Sequence, residues 1–275
     1  MGVNCVRATN CVYVLNPSAQ NAFQATNGST VALTGCGLAV DSSNGDAMTV
    51  NGGSSVTGSA IAVVGGAVVS NGGTTTPAPT TGTAAAADPL ALVSAPTVGG
   101  CNYTNYSEGA GSWVLTQGVY CGGISLHNGA IATFSPGTYI INGGGLSLAG
   151  GTTTGSGVMF YLTGTNATYG SATISNGASV TLSAETSGPY MGVLFFQDRS
   201  ITSAVNATFS GGATMQLTGT LYFPTTSVLV SNGASSNSVI AIVAAEVSFS
   251  GGTKLTWDST GQKTGLFSDS VALLQ

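Results

Sequence analysis

The sequence predicts an all-β protein built as a right-handed parallel β-helix or a closely related β-solenoid, and three observations support this. Short runs alternate apolar and polar residues, which is typical of half-buried strands. Asn-Gly or Gly-Gly pairs interrupt these runs, and such pairs supply the positive φ that a tight corner needs. Corner and strand recur together about every 20 to 35 residues, as expected when successive coils stack on one another.

One phrase carries the repeat: Asn or Gly, then Gly, a small residue, any residue, and then apolar, polar, apolar. The pair forms the corner, and the alternation that follows forms a strand whose apolar side chains point inward. Copies of the phrase lie at residues 27–33, 128–134, 176–182, 211–217 and 251–257. An antiparallel sandwich or jelly roll also uses Gly-rich turns and is the alternative architecture.

The pattern divides the chain into three regions. Residues 1–70 are predicted to form an N-terminal β-stack of about two coils, 71–100 a Pro/Thr/Ala-rich connector that crosses the stack, and 101–275 the main β-helix with a C-terminal cap. About fourteen short strands between residues 101 and 260, at three per coil, predict four or five coils and a rod on the order of 25 Å long. Aromatic residues are expected to cap the first of these coils; they are Tyr103, Tyr106, Trp113 and Tyr120.

The amino-acid composition excludes several classes of function. The chain is 43% hydrophobic and only 5% charged, so it can bury a sizeable core. Its net charge of −5 and its scattered basic residues argue against nucleic-acid binding, which needs a basic face. No window approaches the roughly 20 apolar residues of a membrane helix. Residues 1–5 lack the start of a signal peptide, so we expect an excised ectodomain.

The five cysteines are Cys5, Cys11, Cys36, Cys101 and Cys121. They form no CxxC pair, and a single histidine cannot complete a zinc site with them, so neither a metal nor a cofactor is predicted. Cys11–Cys36 and Cys101–Cys121 are the predicted disulfides, because each pair lies near strand ends about one coil apart. Buried free thiols are the alternative.

Seven phrases resemble the ectodomains of TadG-like pilus-assembly proteins of the Flp/Tad systems of Gram-negative bacteria, and their order covers nearly the whole chain. They are residues 11–15 (CVYVL), 35–37 (GCG), 88–91 (DPLA), 115–124 (LTQGVYCGGI), 134–141 (FSPGTYII), 192–199 (GVLFFQDR) and 217–224 (LTGTLYFP). The resemblance implies a structural or adhesive role in pilus assembly, at the periplasmic side or the cell surface. It also implies pilus or cell-surface proteins as partners and a native membrane anchor, which we expect to lie outside this sequence. It supplies no catalytic residues.

Two other functions remain open. A carbohydrate-binding or polysaccharide-degrading β-helix would need clustered carboxylates, and the acids here are spread along the chain. The candidate ligand contacts are Tyr103, Tyr106, Asp198, Arg199 and Glu246, with surface glycans as the ligand. Glu246 and Arg199 would mark an enzyme site if they formed a buried pair.

An ice-binding β-solenoid is the second alternative, because flat solenoid faces with regular threonine rows bind ice. Residues 74–76 and 152–154 are threonine triplets, yet threonine shows no recurrence at one fixed place of successive coils in the linear sequence. The sequence therefore favours a non-catalytic structural or adhesive module.

Overall fold

The computed structural model describes residues 10–236 and 239–258, and the all-β prediction is confirmed for this part of the chain. The strands, in chain order, are β1 (Asn10–Val14), β2 (Phe23–Ala25), β3 (Thr30–Thr34), β4 (Gly37–Val40), β5 (Met48–Val50), β6 (Ser55–Thr57), β7 (Ile61–Val63), β8 (Ala67–Val69), β9 (Thr74–Thr76), β10 (Thr80–Thr81), β11 (Tyr103–Glu108), β12 (Gly111–Leu115), β13 (Gly118–His127), β14 (Ala130–Phe134), β15 (Gly137–Asn142), β16 (Leu146–Ala149), β17 (Thr152–Ser156), β18 (Val158–Thr163), β19 (Ala172–Ser175), β20 (Ser179–Ser183), β21 (Val193–Gln197), β22 (Ala207–Phe209), β23 (Thr214–Val230), β24 (Ser235–Ser236), β25 (Val239–Phe249) and β26 (Lys254–Asp258). Within the described ranges, no helix is long and apolar enough to cross a bilayer.

Every strand pairing in the described chain is parallel, so the antiparallel alternative is wrong. Each coil supplies three strands, and equivalent strands of successive coils pair to form three faces. Face one contains β1, β4, β7, β10, β15, β18, β21, the starts of β11, β13 and β25, and the middle of β23. Face two contains β2, β5, β8, β16, β19, β22 and the ends of β11, β13, β23 and β25. Face three contains β3, β6, β9, β12, β14, β17, β20, β24, β26 and the start of β23.

The stack is longer than predicted. In the described part of the main stack, face one runs through seven coils, β11–β13–β15–β18–β21–β23–β25, where the sequence predicted four or five. Three further coils begin at β1, β4 and β7, and the two-residue β10 starts another. Ten coils at about 4.8 Å each make a stack about 48 Å long.

The corner phrase recurs in register along the stack, as predicted. Asn176 and Asn232 adopt φ of 54° and 53° at their corners, a left-handed conformation that asparagine tolerates better than most residues. Backbone bonds join each corner to the next: Gly177 N–H donates to Gly211 O at 2.9 Å, and Gly233 N–H donates to Gly251 O at 2.9 Å. The corners are therefore stacked, and they set the strands of face three in register.

At β4, β18 and β21, face one is buried on both sides, which explains unbroken apolar runs such as VMFYLT in β18. Its inner side carries an aromatic ladder in which ring centroids lie 6.0 Å apart from Tyr120 to Tyr139, 5.4 Å to Phe160, 5.4 Å to Phe195 and 6.1 Å to Phe223. Its outer side carries a second apolar cluster that includes Tyr161, Phe196 and Tyr222. Such tilted and stacked pairs add about 0.5–1.5 kcal/mol each beyond the area they bury.

The order of coils along the stack differs from their order in the chain. The first strands of the chain dock on its last: β1 and β2 pair with β25, and β3 pairs with β26. Residues 82–102, which we call the strap, then connect β10 at one end of the stack to β11 at the other. The strap covers the outer side of face one, where Leu90 is fully buried and Ala86 and Val93 pack on the outer apolar cluster.

Both predicted disulfides are present. Cys11–Cys36 joins the starts of two neighbouring coils, and Cys101–Cys121 ties the end of the strap to β13. Disulfides persist in oxidising compartments, so the two bridges indicate an extracytoplasmic environment. Cys5 and the predicted cap at residues 262–275 lie outside the described residues.

Candidate functional site: face three and the strap latch

Face three presents two outward columns of mostly hydroxyl-bearing side chains. Column one, in stack order, is Ser112, Ile131, Thr152, Ser179, Thr214, Ser235, Lys254, Thr30, Ser55 and Thr74. Column two, among the described residues, consists of two runs: Val114, Thr133, Thr154, Thr181 and Gln216, and then Thr256, Ala32, Thr57 and Thr76. The columns alternate with inward apolar residues such as Val180 and Leu182, so strand geometry fixes their outward direction.

This regularity corrects the expectation that threonine does not recur at one place in successive coils. Adjacent members of column one are 21 residues apart from Ile131 to Thr152, 27 from there to Ser179, and 35 from there to Thr214. Loops of different length between strands hide the repeat in the linear sequence. The signal that could have found it is the position after each corner phrase, since the corners are in register.

The geometry of face three suits contact with an extended neutral surface. Hydroxyls repeat about every 4.8 Å along the stack and about every 6.6 Å across it. Thr133 and Thr154 are hydrogen-bonded through their hydroxyls at 3.3 Å, and Ser183 donates to Ser156 at 3.1 Å, so part of the array is ordered by its own contacts. Lys254 is the one charged side chain among the described members of the two columns.

Arg199, predicted as a ligand contact, instead anchors the strap. Its guanidinium donates to the backbone carbonyls of Val93 at 2.9 Å and of Leu90, and its Nε donates to the Tyr222 hydroxyl at 2.6 Å. The Tyr222 hydroxyl in turn donates to Asp88 Oδ2 at 2.7 Å. The guanidinium also lies 5.0 Å from the Tyr222 ring centroid, within cation–π range. We call Asp88, Tyr222 and Arg199 the latch.

Asp198, the neighbour of Arg199, is committed to local structure. Burial raises the pKa of its carboxyl, but hydrogen bonds from Thr163 and from Ser200 more than offset this and hold the pKa below its ordinary value. The Thr163 hydroxyl donates to Oδ2 at 2.7 Å, and the Ser200 backbone and hydroxyl donate to Oδ1 at 2.9 and 2.8 Å. These contacts shape the loop after β21.

Glu246 lies on β25, the coil next to the one that carries Tyr222, and its partner is Asn16, whose Nδ2 donates to Oε1 at 3.0 Å. The structure therefore does not bring Glu246 and Arg199 together as a buried pair. Each of the three predicted charged contacts has a structural partner of its own.

The predicted tyrosines lie together at the first coil. The rings of Tyr103 and Tyr120 stack with centroids 4.5 Å apart, and Tyr106 meets both edge-on at 6.1 and 5.7 Å. Tyr106 also lines a shallow open groove of about 280 Å³, whose other walls are Asn105, Ser107, Gly122, Ile124, Ser125, Gly144 and Ser147. The tyrosines thus cover the end of the core, with Tyr103 36% exposed.

A buried polar cluster, not predicted from the sequence, lies close to the loop after β21. Tyr169, Ser171, Gln197 and Thr226 are all at least nine-tenths buried. Burial raises the pKa of the Tyr169 hydroxyl, and the side chains of Ser171, Thr226 and Gln197 counteract this from nearby. Even so, the Tyr169, Ser171 and Thr226 hydroxyls and Gln197 Nε2 have no hydrogen-bond partner of normal geometry.

Within residues 10–236 and 239–258, no three His, Cys, Asp or Glu side chains are grouped closely enough to hold a metal ion. Comparison of the chain with protein-family models, with curated proteins and with solved structures found no match.

Proposed function

We propose that the chain is a non-catalytic structural or adhesive module that acts at the periplasmic side or the surface of a Gram-negative bacterium, in a Tad/Flp-type pilus-assembly system. We further propose that its stack is a right-handed parallel β-helix. Pilus or cell-surface proteins are the proposed partners. The observation that carries the proposal is face three, a regular and almost uncharged hydroxyl surface on a stack of coils held by parallel ladders.

The stack is stiff and holds the side chains of face three at fixed positions. Ladder hydrogen bonds join every coil to its neighbours, and two disulfides restrict the chain further, so the outward side chains keep fixed spacing. Fixed side chains lose little conformational entropy on binding, which favours contact with an extended partner. The TadG-like resemblance supplies the biological setting of this surface.

Adhesion measurements on matched variants test the proposal. Thr154→Arg with Thr181→Arg places two bulky cations on face three, where these residues are Cα partners. The control is Thr173→Arg with Thr208→Arg, Cα partners on face two. Retention of protein-coated beads by purified Tad pili and by pilus-bearing cells should fall at least about tenfold for the first variant, equivalent to about 1.4 kcal/mol. Equal retention of both variants would contradict a role for face three.

Ice binding is a second candidate, favoured by the repeat of hydroxyls in two directions on face three. Thermal hysteresis at millimolar protein tests it directly. A hysteresis gap that Thr154→Tyr abolishes would support ice as the ligand, and no gap at the highest soluble concentration would remove it.

A further inference from the structure

The junction between the first and last coils of the chain is a complete coil-to-coil interface. Its three ladders align Val12 with Ile242, Phe23 with Val247 and Val31 with Leu255. Backbone bonds of 2.8 Å run across it from Leu15 N–H to Ala244 O and from Thr30 N–H to Thr253 O. The interior of the junction is apolar, with the Phe23 and Phe249 rings 6.0 Å apart.

No local chain connection holds this interface together. Residues 10–81, the N-terminal coils, are joined to the main stack only through the strap, which begins at the far end of the N-terminal coils and ends at the opposite end of the main stack. The interface would have the same contacts if the N-terminal coils came from a second copy of the chain. Exchange of an identical element between copies is a low-cost route to assembly.

The strap is long enough to permit the exchange. Its 21 residues, numbers 82–102, span about 70 Å when fully extended, against about 48 Å of stack. A fully extended strap therefore reaches about 50 Å sideways while still covering the length of the stack. Two turns now take up this slack, closed by bonds from Ala91 N–H to Asp88 O at 3.3 Å and from Val93 N–H to Leu90 O at 2.9 Å.

The latch favours docking within one chain. It fixes Asp88, Leu90 and Val93 to the main stack, and Ala86 N–H donates to Asp41 Oδ1 of the N-terminal coils at 2.8 Å. While these contacts hold, the strap keeps its own N-terminal coils near β25 and β26. Synthesis order works against them, because residues 10–81 are complete before residues 239–258 emerge.

We propose that the N-terminal coils exchange between copies: residues 10–81 of a second copy of this chain dock on β25 and β26 through the same three ladders, and the latch sets the balance. This inference goes beyond the proposed function and stands independently of it. Exchange would link separate copies of the chain through an interface that already exists within each copy.

A carbodiimide crosslink across the junction tests the exchange. Thr30 and Lys254 are Cα partners on face three, so Thr30→Glu places a carboxylate beside the Lys254 ammonium. Ser235→Glu is the matched control, because Ser235 is the Cα partner of the same lysine from the other side, within the main stack. Both variants carry Cys5→Ser and are refolded from guanidinium with their disulfides intact. A covalent dimer on a denaturing gel reports exchange, and mass spectrometry locates the bond.

A short linker holds its ends at an effective concentration of about 1 mM, so the exchanged share should rise about a hundredfold between about 1 µM and about 100 µM protein. Thr30→Glu should then give covalent dimers at the higher concentration and Ser235→Glu only internal links. Asp88→Ala, which opens the latch, should raise the dimer share further. Internal links alone at every concentration, with the latch intact and with it opened, would overturn the proposal. If refolding fails, the same crosslink on freshly expressed protein at high and low expression decides the question.

Discussion

The latch yields a prediction whose size follows from its contacts. Tyr222→Phe removes one hydroxyl that accepts from Arg199 Nε at 2.6 Å and donates to Asp88 Oδ2 at 2.7 Å, while the ring and its packing remain. Hydrogen bonds to charged groups contribute about 1.5–3 kcal/mol each. Asp88 and Arg199 are only half-buried, and water replaces part of the loss, so we expect about 2 kcal/mol.

The loss should appear as opening of the strap before any global unfolding. A change of 2 kcal/mol corresponds to about a thirtyfold rise in the population of the open strap. Hydrogen exchange at the Ala91 and Val93 amides, which bond within the strap, should accelerate by that factor, and proteolysis between residues 82 and 100 should accelerate with it. The midpoint of thermal unfolding should fall by about 3–4 °C if the strap unfolds with the rest.

Tyr161→Phe is the matched control. Tyr161 lies in the same outer cluster, and burial raises the pKa of its hydroxyl to about 12, but that hydroxyl interacts with Thr163 and Asp198 instead of the strap. Its loss should leave exchange at the Ala91 and Val93 amides within about threefold of the parent rate. Equal acceleration by both substitutions would refute the latch, because it would show that general packing and not the bridge holds the strap.

Three further predictions concern the corner glycines, the buried hydroxyl groups and the titration of Asp41. In guanidinium unfolding, Gly144→Ala should lower the free energy of unfolding by several times the roughly 1 kcal/mol expected for Gly129→Ala. A Cβ at Gly144 would come within 2.1 Å of the Gly122 carbonyl oxygen in the neighbouring coil, whereas Gly129 faces open space. Thr226→Val should be neutral or stabilising and Thr163→Val should cost about 2 kcal/mol, because only Thr163 has a hydrogen-bonded hydroxyl. Burial raises the pKa of the Asp41 carboxyl above 3.8, and the hydrogen bond from the Ala86 amide offsets part of this rise. The protonated carboxyl therefore stabilises the folded chain at low pH, and this stabilisation is lost as the pH rises through the raised pKa. Thermal unfolding should therefore show Asp41→Asn more stable than the parent near pH 7, with the difference gone near pH 3.

The corners and the strands that follow them could be predicted from sequence because both signals are local. Residues 176–182 show the logic: Asn-Gly turns the chain, and Val180 and Leu182 alternate inward. The sequence underestimates the number of coils because some strands lack this local signal. Strands β17 (Thr152–Ser156) and β24 (Ser235–Ser236) have almost no apolar alternation, and pairing with their neighbours makes them strands.

The order of the coils and the residues of the latch could not be predicted from the sequence, because both depend on contacts between distant parts of the chain. Nothing in CVYVL indicates that β1 will pair with β25, more than 200 residues away, because every coil presents a similar parallel edge. The latch joins Tyr222 to Asp88 across 134 residues of sequence. The sequence predicts Asp198 and Arg199 only as ligand contacts. Asp198 instead accepts bonds from Thr163 and Ser200, and the partners of Arg199 depend on where the strap crosses.

The most direct test of the account is the distance along column one. Spin labels at Ser112 and Thr74 in a Cys5→Ser background lie on the first and tenth coils, nine coil steps apart. Pulsed electron–electron double resonance should give one narrow distribution of label-to-label distances, centred at about 43 Å. A dominant distance below about 25 Å, as a compact two-layer sandwich would give, would contradict the stack of parallel coils and the mostly hydroxyl-bearing face that it supports.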